Sequence, residues 1–183
     1  MAHIEPIQIE LRDGRTLTIR AAVASDGEAS YALRRMDYPG KVTLPHEYTD
    51  SLEVYSKSID QALADPARLW LVAEADNALA GQITVQPEND KRQRLSHVCW
   101  FGMALLPHWR GLGLGHALLS RAISWAEEHP RFEKLALGVL SNNPGAMALY
   151  RKLGFIEEGR KVREVKLASG DYLDDILMYR WVG

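Results

Sequence analysis

A single cysteine, Cys99, stands among the 183 residues, so no disulfide can close within the chain and no cysteine-rich zinc site can be built. Charge of one sign is also missing: the formal net charge is −2 and the isoelectric point about 6.3, which gives no overall pull toward nucleic acid or anionic lipid. Long hydrophobic runs are absent too. The longest ends at Pro107 and is too short to span a bilayer, and Met1–Pro6 lacks a basic region followed by an apolar stretch. These absences lead us to expect a soluble, cytoplasmic protein with no nucleic-acid or membrane partner and no metal. No internal repeat or low-complexity segment occurs. What is present, 46% hydrophobic and 25% charged residues, describes one globular domain over residues 1–183 with a well-stocked core.

The periodicities predict the element order ββααβββαβαββ. Ile7 to Arg12 and Thr16 to Ala22 alternate around Asp13-Gly14, a hairpin pattern. Ser25-Asp26 is placed to cap a helix reaching about Met36, and Thr49-Asp50 to cap another reaching about Ala64, which Asp65-Pro66 closes. Strands follow over Leu69 to Ala75 and Ala78 to Gln86, joined at Asp76-Asn77, and an apolar strand runs from Ser96 to Leu105. From Leu114 to Glu128 the apolar residues at 114, 118, 122 and 125 recur at helical spacing; His129-Pro130 stops that helix before a strand at Lys134 to Leu140. A short helix over Asn143 to Leu153 precedes a terminal hairpin, Phe155 to Leu167 and Tyr172 to Trp181.

Between the apolar strand and the first long helix lies Arg110-Gly111-Leu112-Gly113-Leu114-Gly115. Glycines at alternate positions let a backbone approach an anion and turn several N–H groups toward it, and the helix beginning there adds the positive end of its dipole. The same glycines would also serve a plain tight turn. A P-loop is excluded, because His116-Ala117 stands where that loop needs Lys-Ser or Lys-Thr. The dinucleotide fingerprint fails in both registers, its third glycine falling on His116 or on Leu118. Arg110 to Gly115 does match Arg/Gln-x-x-Gly-x-Gly/Ala, and thirty residues on, Asn143-Pro144-Gly145-Ala146-Met147-Ala148-Leu149-Tyr150-Arg151-Lys152-Leu153-Gly154-Phe155 matches Asn-x-x-Ala-x-x-Leu-Tyr-x-x-x-Gly-Phe.

With these two segments in order, the chain resembles the GNAT superfamily of N-acetyltransferases from about Leu69 to Trp181. That resemblance implies an α/β (α+β) fold: a mixed, mostly antiparallel twisted sheet of about seven strands, helices on both faces, and a central pair of strands splayed apart. The co-substrate would be acetyl-CoA. Backbone groups of Met103 and Leu105 would meet its pantetheine arm, and the N–H groups of Gly111, Leu112, Gly113, Leu114 and Gly115 its pyrophosphate. Arg110 would contact phosphate or, alternatively, pair with a surface carboxylate. Asn143 would bond the CoA arm or simply cap its helix. Tyr150 matches the family's tyrosine, a phenol able to protonate the departing thiolate; the competing reading is a core aromatic packed on Phe155 or Leu149.

A strand glutamate, the better-known base, is missing: Cys99 occupies that neighbourhood, where a buried, inert thiol is the simpler reading. His97, two residues earlier and on the same strand face, is a candidate base through water, or else a histidine hydrogen-bonded at the strand's outer end. Acceptor identity would rest on the loop between the first two helices, with Tyr38, His46, Glu47 and Tyr48, and on the last hairpin. We therefore expect transfer to a small-molecule amine. A protein N-terminal or lysine acetyltransferase and a non-catalytic acyl-CoA sensor stand as alternatives, with a homodimer open through paired edge strands.

Overall fold

The computed structural model describes residues 4–35, 51–88 and 93–183. Eight strands join one sheet: β1 (Ile7–Glu10), β2 (Thr16–Ala21), β3 (Leu69–Ala75), β4 (Ala78–Pro87), β5 (Val98–Leu105), β6 (Lys134–Leu140), β7 (Ile156–Lys166) and β8 (Tyr172–Trp181), in the spatial order β1-β2-β3-β4-β5-β6-β8-β7. This is one strand more than the family pattern of about seven, because both strands of the N-terminal hairpin pair into the sheet. Every neighbouring pair is antiparallel except β5 and β6, which are parallel.

Among the described residues four α-helices cover the sheet: α1 (Gly27–Arg34), α2 (Leu52–Ala64), α3 (Leu114–Glu128) and α4 (Pro144–Lys152). Their distribution follows from strand alternation. Odd residues of β3, Leu69, Leu71 and Ala73, enter the main core with α3 residues Leu114, Leu118, Leu119 and Ala122 and with Tyr150 of α4. The even residues Trp70 and Val72 point the other way, into a smaller cluster with Tyr55 and Ile59 of α2. No helix among the described residues is long and apolar enough to cross a membrane.

Local details refine the sequence reading. Ser25-Asp26 does not cap α1 through a side chain: residues 24–26 form a short 3-10 turn and no side-chain cap bond is made. The Asp26 carboxylate is recruited elsewhere, accepting from Val23 N–H at 2.8 Å and from Arg20 at 2.7 and 2.9 Å, while Arg20 also reaches Glu74 at 2.7 Å. Asp65 closes α2 by accepting from Ala67 N–H, and Asp76 and Asn77 both take positive φ, as a tight hairpin turn requires. The expected cap at Thr49-Asp50 lies outside the described residues.

Burial pushes the Asp26 carboxyl up, but the hydrogen bonds from Arg20 and Val23 outweigh it and hold it below the ordinary carboxylate range. A depressed carboxyl contributes stability that is present above the unfolded-state value near 4 and is lost as pH falls through the folded one. Asp26→Asn is expected to cost about 2 kcal/mol, less than a fully buried pair because Arg20 remains a quarter exposed. Thermal unfolding at pH 7 and pH 3 checks this: the difference between wild type and variant should shrink at the lower pH.

Candidate active site

The parallel pair β5 and β6 is joined over only three residue pairs, Val98↔Lys134, Cys99↔Leu135 and Trp100↔Ala136. Beyond Trp100 the strands part, although β5 stays paired with β4 to Leu105 and β6 with β8 to Leu140. The ladder shows which groups line the gap. Val98 C=O accepts from Glu88 N–H at 2.9 Å and Leu106 N–H donates to Ala80 C=O at 3.0 Å, so even-numbered residues of β5 turn their backbone toward β4. The odd residues Phe101, Met103 and Leu105 consequently turn theirs toward β6 and the gap. Met103 and Leu105 are the positions that sequence resemblance marked.

The glycine turn stands at the open end of this gap. Gly111 and Gly113 have φ of +74° and +103°, in the left-handed region that favours glycine, and a Cβ on either would meet no atom within 4 Å. Gly113 is the N-cap of α3 and has no side chain with which to cap it, so the N–H groups of the first helical turn, Leu114 and Gly115 included, receive no bond from the cap residue. Gly115 has a second role that sequence reasoning missed. A Cβ there would lie 3.2 Å from Leu149, 3.3 Å from Leu105 and 3.6 Å from Met103, so its bareness lets α3 settle onto the parted strand. Gly81 of β4 does the same from the other side, since its Cβ would come within 2.4 Å of Leu105.

Arg110 does not reach outward in this structure: its Nε donates to Leu105 C=O at 3.1 Å, across the mouth of the gap. The turn itself is braced by the β1–β2 hairpin. Arg12 N–H donates to Leu112 C=O at 3.1 Å, Arg15 donates to His108 C=O at 3.1 Å, and the Arg15 guanidinium lies 4.0 Å above the Trp109 ring.

Tyr150 is buried on α4, with Phe101 edge-on to its ring at 5.6 Å and Phe155 at 6.1 Å. Phe101 is the first β5 residue past the last β5–β6 pair, so the phenol belongs to the place where the gap opens. The structure shows the packing of a core aromatic, set against β5 just past its last pair with β6. Burial pushes the phenol up to about 12. Asn143 is the N-cap of α4, its Oδ1 accepting from Ala146 N–H at 3.3 Å; the cap uses the amide oxygen and leaves the NH₂ as the donor group.

His97 is not brought to this place. It sits in the turn before β5, at the closed end of the parallel pair, where its carbonyl accepts from Glu133 and Lys134 N–H at 2.9 and 3.1 Å. Phe101 is four residues along, roughly 13 Å at strand rise. Cys99 is fully buried in the main core, its Sγ 3.5 Å from Lys134 C=O, and burial pushes the thiol up to about 12. Tyr38, His46, Glu47 and Tyr48 lie outside the described residues.

A parted parallel strand pair, a glycine turn at positive φ and a buried tyrosine packed on the first β5 residue past the pairing lie together in this region. Comparison with known proteins gives the family. Residues 29–155 match the model of the acetyltransferase (GNAT) family, and the chain belongs to that family. It is 31% identical to the L-amino acid N-acetyltransferase AaaT of Escherichia coli K12 over 140 residues, 74% of this chain and 85% of that one. To the spermidine N(1)-acetyltransferase of Vibrio cholerae it is 30% identical over 136 residues, 74% of each chain. Among solved structures, a GNAT-family acetyltransferase from Streptococcus pneumoniae superposes with a TM-score of 0.79 at 25% identity, over 90% of this chain and 99% of that one. YncA from Salmonella typhimurium, described with its cofactor acetyl-CoA, shares the fold at a TM-score of 0.75 and 20% identity, over 91% and 94% of the two chains.

A thiol held at about 12 and sealed in the core should be silent. The native protein is expected to show no reaction with a disulfide thiol reagent at pH 8, and one thiol per chain to appear on unfolding in guanidinium. Fast modification of the folded protein would contradict this placement.

Proposed function

We propose that the protein transfers an acetyl group from acetyl-CoA to the primary amine of a small molecule, by direct attack with both substrates bound. The parting of β5 and β6 beneath the glycine turn is the observation that carries this reading. An extended, amide-bearing arm laid in the gap finds the backbone groups of Met103 and Leu105 turned toward it, as an added strand would. The pyrophosphate then falls to the N–H groups between Gly111 and Gly115, where the dipole of the fifteen-residue α3 favours negative charge. Arg110 would exchange its bond to Leu105 C=O for phosphate, freeing that carbonyl for the arm. Asn143 would donate its NH₂ to the same arm while its oxygen keeps capping α4.

Acetyl-CoA supplies an activated thioester; the chain supplies position and a proton. Tyr150 is the group we assign to protonating the leaving thiolate. Its raised pKa keeps the phenol protonated throughout the neutral range, which an acid needs, and in the low-dielectric fork a nearby thiolate draws strongly on the O–H dipole. No proton is assigned to His97, which stands at the closed end of the strand pair, nor to Cys99, which stays a thiol; an acceptor arriving as free amine needs neither. Both named relatives act on small amines, an amino acid in one case and spermidine in the other, which supports a small-molecule acceptor over a protein.

Calorimetric titration with acetyl-CoA, followed by a CoA-release assay over a panel of amines, tests the whole reading. Binding without turnover on any amine would leave only the sensor function. Gly113→Ala is expected to weaken acetyl-CoA binding by roughly five- to thirtyfold, since an L-residue at φ of +103° costs roughly 1–2 kcal/mol, whereas Gly145→Ala, at an open position with ordinary φ, should bind as wild type. Tyr150→Phe should lower kcat by roughly 10²-fold or more with little change in the acetyl-CoA KM. In the wild type, no alkaline loss of kcat from this residue should be seen below pH 10. A wild-type kcat in the phenylalanine variant would remove Tyr150 from the chemistry.

A further inference from the structure

On the sheet face opposite α3 and α4 one carboxylate stands apart. Asp175 of β8 lies opposite Leu140 of β6, and its side chain is only 5% exposed. Oδ2 is 3.4 Å from the Lys161 ammonium; Oδ1 is buried and has no hydrogen-bond partner among the described residues. An ionised oxygen in that condition is costly unless a donor reaches it. The neighbouring Asp174 offers a contrast, partly buried and satisfied by Arg160 at 3.1 Å and Arg163 N–H at 2.8 Å.

Its place in the sheet gives Asp175 a meaning beyond local packing. Ile176 and Met178 belong to the main core beneath α3, so Asp175, Leu177 and Tyr179 face the other way, toward the side of α1 and α2. By the same alternation that side carries Gly102 of β5 and Gly138 of β6, one on each bank of the gap. Two further buried polar atoms without partners among the described residues, Trp100 Nε1 and Ser30 Oγ, belong to this face as well: Trp100 stands opposite Gln86 of β4, and Ser30 C=O accepts from Gln82 at 3.0 Å. Asp175 is one strand, about 4.8 Å, beyond the β6 bank of the gap.

Resting on the acetyltransferase reading above, we propose that Asp175 is the specificity-determining residue for the acceptor and receives a second ammonium group on it, so that the preferred acceptors are short diamines. One nitrogen sits on the buried carboxylate while the other reaches the thioester through the glycine-flanked gap. Lys161 is the resident counter-ion in the free protein. Its side chain is half exposed and is shared with Glu164 at 3.7 Å, so it swings aside when an acceptor cation arrives. A monoamine, lacking the second charge, leaves the carboxylate with Lys161 and binds weakly.

The two residues of this pair therefore act in opposite directions, which a merely structural ion pair would not do. Calorimetric titrations of 1,4-diaminobutane and of butylamine into the protein saturated with coenzyme A read this out, with acetyl-CoA affinity and thermal stability measured for each variant. Wild type should bind the diamine at least tenfold more tightly than butylamine. Asp175→Asn should abolish that preference and Lys161→Met should strengthen diamine binding, all with unchanged acetyl-CoA affinity. Equal binding of the two amines by wild type, or a shift of diamine affinity in the same direction in both variants, would overturn the proposal while leaving acetyl transfer intact. Failure of wild type to bind acetyl-CoA would instead overturn the acetyltransferase reading and this one with it.

Discussion

The separation of β5 from β6 after three residue pairs is the constraint on which the rest of the site depends. A sheet does not open in its middle without consequence, because each unpaired N–H and C=O must find another partner. Two features make the opening tolerable here. Both strands keep full ladders on their outer sides, β5 with β4 and β6 with β8, so the fork gives up only the inner row of bonds. Arg110 then turns back to the Leu105 carbonyl at the mouth. The gap is thus a row of backbone groups held rigidly by neighbouring strands, a better template for an extended arm than any loop.

Rigidity at the mouth comes from outside the motif. The glycine turn is joined to the β1–β2 hairpin by Arg12 to Leu112 and Arg15 to His108, with the Arg15 guanidinium stacked on Trp109. These residues lie about a hundred positions earlier in the chain, yet they fix the height at which α3 begins. Gly115 and Gly81 add the complementary freedom, each removing a side chain so that Leu105 and Met103 can sit between α3 and β4. Glycine serves two physical ends within one short segment: positive φ at 111 and 113, and close packing at 115.

The fold also sorts chemistry between its two faces. Apolar burial on the α3 and α4 side gives Tyr150 its raised pKa and makes Cys99 an inert core residue. The opposite side keeps polar groups close to the gap, among them Trp100, Gln82 and Asp175.

Element types and nearly all boundaries were legible in the chain because they rest on local rules: alternation in β3 and β4, helical spacing from Leu114 to Glu128, turn residues at Asp76-Asn77 and Asp65-Pro66. The two motifs also placed the glycine turn and Tyr150 correctly relative to the helices they open and occupy, since both are contiguous segments. Local pattern misled where a group found another partner. Asp26 was read as a helix cap, yet Arg20 and the Val23 amide claim it; His97 was read as lying on the face of Cys99 but sits in the turn before β5, at the closed end of a parallel pair whose register is thirty-six residues. The extent of the fork, the brace from Arg12 and Arg15, the packing role of Gly115 and the burial of Asp175 were decided only by tertiary structure. Each depends on which strands become neighbours and at what register, and long-range pairing of that kind leaves no periodic trace in the residues that take part.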